Sequence, residues 1–323
     1  MRHKAKLRPM GRYSLTIALM AAVLVAGCSV RGGAEQAEST SSTATSSVVT
    51  VGTLDAPDGL RRTYRLLVPP NVGATPALVI GLHGGFGSGE QFEQTSQLDR
   101  LALRDGFIAV YPDGTGAVRT WNAGSCCGSA ARNNVDDVGF ISALIRELEQ
   151  RYEIDPHRVY AMGHSNGGML AYRLACELSN LVVGVGVQSA TQGTTACSPE
   201  QPVSLMHVHG TFDKNLPFAG GVGPNSTTRV AYEPAGPVVE SFAQANDCPA
   251  SPVTVVDRVN PDVHSRTWQP CAAGSAVRLV LVDGASHAWM GTPAGSPRLT
   301  GEAYLDYDTT VRLWEFLSAH PRI

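Results

Sequence analysis

"RVYAMGHSNGGMLAYRLACELS", residues 158–179, is the stretch whose reading decides the fold. Its opening, "RVYAMG", is mostly apolar and reads as a buried strand. From Ser165 onward, "SNGGMLAYRLACELS" reads as a helix. The pattern G-x-S-x-G, Gly163 to Gly167, lies at the junction. Five residues of that pattern arise by chance in many chains, so the junction carries the information. A serine that ends a strand and opens a helix sits on a sharp turn, which lifts its hydroxyl above the sheet edge and aims a helix N-terminus at it. Gly163, Gly167 and Gly168 suit such a turn, where flanking side chains leave no room. The competing reading is a glycine-rich turn with an inert serine; the strand before it and the helix after it favour Ser165 as a nucleophile.

Outward from this junction, strands and helices alternate. "RRTYRLLVP" reads as an early strand, and "ALVIGLHG" and "FIAVYPDG" as strands buried on both faces. "EQFEQTSQLDRLALRDG" has helical spacing and a glycine stop. "DDVGFISALIRELEQRY" is amphipathic, with Val138, Ile141, Ile145 and Leu148 on one face and Asp136 and Asp137 as N-terminal caps. "LVVGVGVQS" and "VSLMHVHG" are strands, "GPVVESFAQAND" a helix, "VRLVLVDG" a strand and "YLDYDTTVRLWEFLSAH" a closing helix. The pattern predicts an α/β protein with a mostly parallel sheet and helices on both faces. Functional residues are then expected in loops at the carboxyl ends of strands.

A serine nucleophile needs a base, and the base an orienting acid. Asp213 follows the strand "VSLMHVHG", and His287 follows "VRLVLVDG". Ser165, Asp213 and His287 thus come in the chain order serine, acid, histidine. Asp283 stands nearer His287 in sequence, but its "DG" reads as a turn too close to approach the ring from behind. His207 and His209 are expected to be core or rim residues, and His264 lies in a hairpin. For the oxyanion, the backbone N–H of Asn166 is one expected donor. The other comes from "HGG", residues 83–85, with Gly85 preferred and Gly84 next. A glycine pair also suits a phosphate, but the P-loop lysine is absent.

The chain has 323 residues, 43% hydrophobic and 16% charged, with formal net charge -3. That composition supports a sizeable core, and no basic block suggests a nucleic-acid partner. Residues 1–27 read as a signal peptide: "MRHKAKLRPMGR" is basic, and "LTIALMAAVLVA" is an apolar run too short to span a bilayer, which needs about 20 residues. It ends in "VAGC", which resembles a lipobox and implies cleavage before Cys28 and lipid on its sulfur; an ordinary secretory signal is the alternative. The expected location is extracytoplasmic, lipid-anchored to the cell membrane or secreted. Residues 28–49 follow as a flexible Ser/Thr-rich tether, and 50–323 as one domain. Of seven cysteines, six remain after Cys28, an even number that suggests disulfides in an exported chain. Cys248 and Cys271 flank a hairpin and form a natural pair. Cys126, Cys127, Cys176 and Cys197 remain, and adjacent Cys126 and Cys127 are expected to reach different partners. No C-x-x-C spacing supports zinc.

The motifs "LHGG", "YPDG", "WNAGSCCG", "VDDVGF", "GHSNGGMLAYRLAC", "HGTFD" and "SHAWMG" together resemble the poly(3-hydroxybutyrate) depolymerase and feruloyl esterase family of α/β-hydrolases, in particular its LpqC-type bacterial lipoproteins. The resemblance runs from about residue 60 to 292, and "WNAGSCCG…VDDVGF" is its most specific part. It implies an exported serine esterase with Ser165, Asp213 and His287 as a triad and no cofactor. Family members often carry proline where Met290 stands, which bears on the shape of a pocket wall. Trp121 is read two ways, as a pocket wall or as packing for its loop; Trp121 and Trp289 are the candidate substrate-binding side chains. The expected partner is an ester substrate, polymeric or small: a hydroxyalkanoate, hydroxycinnamoyl or simple acyl ester. The alternatives are a surface lipoprotein that binds a polymer or host ligand, and a peptidase or thioesterase with the same triad. Fold and triad do not choose the leaving group.

Overall fold

The computed structural model describes residues 49–293 and 295–323. The signal peptide, Cys28 and the tether up to residue 48 lie outside the described residues. The strands are β1 (Thr50–Asp55), β2 (Arg61–Leu67), β3 (Leu78–Leu82), β4 (Ile108–Pro112), β5 (Val159–His164), β6 (Gly184–Gln188), β7 (Ser204–Gly210), β8 (Val253–Val256), β9 (Val263–Trp268) and β10 (Val277–Val282). They form one sheet in the order β1-β2-β4-β3-β5-β6-β7-β10-β9-β8. The pairings from β4 through β10 are parallel. Antiparallel pairs finish each edge, β1–β2–β4 on one side and β10–β9–β8 on the other.

The helices are α1 (Gly89–Ser96), α2 (Leu98–Asp105), α3 (Gly128–Arg132), α4 (Asp137–Tyr152), α5 (Asn166–Glu177), α6 (Ala235–Ala245), α7 (Pro297–Thr300) and α8 (Thr309–Ser318). Residues along each central strand alternate between two cores. Leu78, Ile80 and Leu82 of β3 join the apolar faces of α4, α5 and α6. Val79 joins α1, α2 and α8, where Phe92, Leu101 and Trp314 are buried. Each side of the sheet therefore has its own core, and that is why the central strands read as continuous apolar runs.

Several expectations need correction. The helix expected over residues 90–106 is two helices, because Gln97 adopts a left-handed conformation with φ 51°. Strand β1 is not announced by the sequence, because its largely exposed residues carry little periodic signal. Cys176 pairs with Cys197 and Cys248 with Cys271, so Cys126 and Cys127 are left to pair with each other, not with separate partners.

Asp136 and Asp137 also divide differently from the paired caps expected. Asp136 caps α4, its carboxylate accepting the Gly139 N–H at 2.8 Å. Asp137 is fully buried; it accepts from Arg62 at 2.7 Å and from the Asn122 N–H at 2.7 Å. Arg62 is itself 3% exposed and stacks over the Phe140 ring at 4.1 Å. Burial pushes the Asp137 carboxyl up, and Arg62 and the Asn122 N–H offset that rise only in part. Removing one member of such a pair strands the other charge in the core. Asp137→Ala should therefore lower unfolding free energy by about 3–5 kcal/mol. Asp136→Ala should cost about 1 kcal/mol, the ordinary loss of an N-cap. Urea unfolding of the two variants checks the contrast, and equal losses would contradict it.

Candidate active site

The turn after β5 puts Ser165 at φ 51°, ψ -119°, outside the comfortable range of a non-glycine residue. Neighbouring backbone holds it there. The Ser165 N–H donates to the Gln188 carbonyl at 3.0 Å. A Cβ on Gly163 would lie 2.3 Å from the Gly167 carbonyl oxygen, and one on Gly167 would lie 2.3 Å from that of Leu82. The β5–α5 turn is thus pressed directly onto the end of β3.

Above this turn the structure brings Ser165, His287 and Asp213 together. Ser165 Oγ lies 2.9 Å from His287 Nε2. His287 Nδ1 lies 2.7 Å from Asp213 Oδ2. Asp213 Oδ1 accepts the N–H groups of Asn215 and Leu216, each at 2.9 Å. Burial works to raise the Asp213 carboxyl, but His287, His209 and the Leu216 N–H outweigh it and hold the pKa down to about 2. Asp283 is elsewhere: its exposed carboxylate meets the half-buried His264 at 2.9 Å.

Gly84, Gly85 and Asn166 lie beside Ser165 on the wall of one cleft. Neither the Gly85 nor the Asn166 N–H donates to a backbone carbonyl elsewhere among the described residues. The loop carrying Gly84 and Gly85 is fixed by His83. That ring is fully buried; Nδ1–H donates to the Gly84 carbonyl at 2.7 Å, and Nε2 accepts the Gly114 N–H of "YPDG" at 2.9 Å.

Trp121 is not a cleft wall. It is fully buried, and its Nε1–H donates to the His83 carbonyl at 2.9 Å. The Asn166 side chain clamps the Trp121 backbone, accepting its N–H at 2.8 Å and donating to its carbonyl at 3.1 Å. Burial of a large ring against the strand end explains why it braces the loop instead of facing substrate. Trp289 does reach the cleft, though only 2% exposed, with its Nε1–H held by Thr310 Oγ1 at 3.0 Å. Met290 is buried outside the cleft, and its N–H donates to Gln188 Oε1 at 3.0 Å, a bond that proline could not make.

Two supports of the His287 loop were not foreseen. Gln188 donates to the Ala288 carbonyl at 2.9 Å while accepting from Met290. His164 Nε2–H donates to the His287 carbonyl at 2.7 Å. The only sequence signal for Gln188 was a polar residue closing an apolar strand. The sequence points to Asn166 only through its backbone N–H, because nothing local reveals that its side chain reaches Trp121.

The cleft has a volume of about 370 Å³, and no Asp, Glu, Lys or Arg lines it among the described residues. The lining includes the Cys126–Cys127 pair with Met169, Leu216 and Tyr232, amides and hydroxyls such as Gln91, Asn215 and Thr228, and the exposed apolar side chains Phe86 and Leu299. Among the described residues no group of His, Cys, Asp and Glu side chains is arranged to hold a metal ion, and no helix is long and apolar enough to cross a membrane.

The buried histidines set an acid limit on stability. Burial pushes His83 down to about 4 and His207 well below its ordinary value. In the unfolded chain both titrate near 6.5 (roughly). A depressed folded pKa contributes stability above the unfolded value and loses it as pH falls toward the folded one. Unfolding free energy should therefore decline from about pH 6.5 toward pH 4, at up to about 1.4 kcal/mol per pH unit per histidine. Asp213, held near 2, adds to the loss only below about pH 4. Chemical denaturation across that range measures the slope, which should be shallower in His83→Gln; a flat profile above pH 5 would contradict the account.

Comparison with known proteins places the chain in a family. Residues 62–219 match the family described as esterase PHB depolymerase. The putative esterase NocK of Nocardia uniformis subsp. tsuyamanensis is 30% identical over 254 residues, covering 72% of each chain. Feruloyl esterase B of Piromyces equi is 27% identical over 219 residues, which are 65% of this chain; the chain spans 39% of that protein's length. The acetyl xylan esterase from Aspergillus awamori has the same fold, with TM-score 0.59 at 16% identity over 84% of this chain and 99% of that one. With its mostly parallel sheet covered on both faces, this chain belongs to the esterase PHB depolymerase family of α/β-hydrolases.

Proposed function

We propose that the protein hydrolyses carboxylic esters through Ser165, His287 and Asp213. The observation that carries the reading is the unbroken chain from Ser165 Oγ to His287 and on to Asp213, 2.9 and 2.7 Å, on a sharp strand-to-helix turn. His287 Nε2 takes the Ser165 proton as Oγ bonds to the ester carbonyl carbon. The N–H groups of Asn166 and Gly85 hold the resulting oxyanion, with Gly84 beside them. Collapse breaks the ester C–O bond, and His287 gives its proton to the departing alcohol. Water, deprotonated by the same ring, then releases the acid from the acyl-enzyme, while Asp213 orients the imidazole and stabilises its charged form.

A cleft with no charged side chain favours esters whose acid and alcohol parts are both neutral. Ester bonds within a hydroxyalkanoate chain, away from its terminal carboxylate, hydroxycinnamoyl esters and simple acyl esters all meet that condition, and a feruloyl esterase is among the relatives. Assay on 3-hydroxybutyrate oligomers, methyl ferulate and p-nitrophenyl acyl esters tests the range. Asp213→Asn should lower kcat roughly 10⁴-fold, and Ser165→Ala at least as much. Asp283→Asn, whose carboxylate meets His264, should leave kcat near wild type. Loss of activity in Asp283→Asn with Asp213→Asn unaffected would sink the assignment.

The proposal extends to location. A signal peptide over 1–27, lipid on Cys28, the tether over 28–49 and a catalytic domain over 50–323 describe an extracytoplasmic enzyme held at the membrane by lipid. The support is the basic start, the short apolar run and "VAGC". Cys28→Ser should shift the protein from the membrane fraction to the medium. A wild-type chain that is wholly soluble and carries no lipid would end the anchor reading.

A further inference from the structure

Three buried polar side chains behind the acid have no part in the reaction described above. His207 and His209 are alternate residues of β7, so they share one face of the strand. Both are fully buried, and their rings stack at 5.2 Å. His209 Nε2 lies 2.8 Å from the Leu216 carbonyl and 3.5 Å from Asp213 Oδ2. Its Nδ1 lies 2.9 Å from His207 Nε2, and His207 Nδ1 lies 2.7 Å from the Tyr172 hydroxyl.

Elementary hydrogen-bond accounting fixes every proton in this series. A carbonyl only accepts, so His209 carries its hydrogen on Nε2 and donates to Leu216. Its Nδ1 must then accept, so His207 donates from Nε2. With both rings neutral, His207 Nδ1 accepts and Tyr172 donates. All the bonds run one way, from Tyr172 toward the acid. The series ends on a backbone carbonyl, which has no affinity for a proton near neutral pH, so it holds position and does not pass a proton.

The series also closes a loop through the fold. Tyr172 lies on α5, about two turns after Ser165. From Ser165 the path follows α5 to Tyr172, crosses to His207 and His209 on β7, enters the Asp213–Leu216 turn, and returns through His287. The helix that begins at the nucleophile thereby becomes the reference for the acid.

We infer that His209, backed by His207 and Tyr172, is a positioning residue that fixes the Asp213 carboxylate against His287. Its single Nε2–H holds the Leu216 carbonyl, the Leu216 N–H donates to Asp213 Oδ1 at 2.9 Å, and the ring edge packs 3.5 Å from Asp213 Oδ2. The inference rests on the proposed triad, so its test needs one readout that uses no substrate. That readout is the proton NMR resonance of the His287 Nδ1–H, which reports the bond to Asp213 directly.

His209→Leu retains an apolar filling but cannot donate. It should lower kcat roughly 10- to 100-fold with KM within about twofold, and broaden or shift the His287 resonance. His209→Gln keeps an amide donor for Leu216 and should recover most of kcat and the resonance. Tyr172→Phe keeps the ring and removes only the first donor; its loss should be smaller, roughly two- to fivefold, with a detectable shift of the resonance. Folded His209→Leu with kcat within about twofold of wild type and an unchanged resonance would overturn the inference. So would equal losses in His209→Leu and His209→Gln. If His209→Leu does not fold, Tyr172→Phe decides, and wild-type kcat and resonance there would overturn it. A wild-type enzyme inactive on every ester tested would remove the proposed function, and the resonance would still test the brace.

Discussion

Gly167 sits where the backbone of the β5–α5 turn meets the end of β3, and the candidate site depends on that contact. A Cβ there would lie 2.3 Å from the Leu82 carbonyl oxygen and 2.4 Å from that of His83. Real side chains do not tolerate such distances, so any other residue would push the turn off the strand. The contact sets Ser165 against the loop of Gly84 and Gly85. Asn166, between the serine and this glycine, then reaches Trp121, and Trp121 reaches back to the His83 carbonyl. One close backbone approach thus gathers segments from β3, from the loop after β4, and from β5 and α5.

The polar groups around this contact are almost all buried, and each has a single way to be satisfied. His83, His207 and His209 each have both ring nitrogens occupied. Asp213 spends one oxygen on two backbone N–H groups and the other on His287. A buried network with every partner present has few alternative arrangements, which favours a rigid site over an adaptable one. Adaptability belongs to the cleft rim. Phe86 and Leu299 there are 60% and 55% exposed and lie outside this network.

The α/β class was legible because the signals were local. Continuous apolar runs mark strands with a core on each face, and the helix α4 shows its period within its own sequence. Ser165, Asp213 and His287 could be nominated because the fold class says where strands end. What escaped were relations between distant segments. Asp137 read as a cap, and nothing near it points to Arg62, which is 75 residues earlier. Trp121 read equally as pocket wall or packing, because only the Asn166 clamp, 45 residues away, decides. The partner of an adjacent cysteine depends on which other cysteines are taken, and that is settled only by tertiary structure. The break at Gln97 shows the other limit, since glutamine is an ordinary helix former and gave no warning of its left-handed turn.

The two edges of the sheet are finished differently. At one edge, β8 is exposed along its whole length, yet the β8–β9 hairpin is bracketed by Cys248 and Cys271, a separation of 23 residues. At the other edge, β1 is largely exposed, and among the described residues no disulfide ties it to the sheet. A crosslink around a hairpin shortens the excursions its strands can make, because the opened loop has fewer conformations to gain. Fraying therefore has a preferred direction. Amide hydrogens of the unstapled margin should therefore exchange through cheaper local openings than those of β9 and β10. The serine stands between these margins, at the end of a central strand paired on both sides.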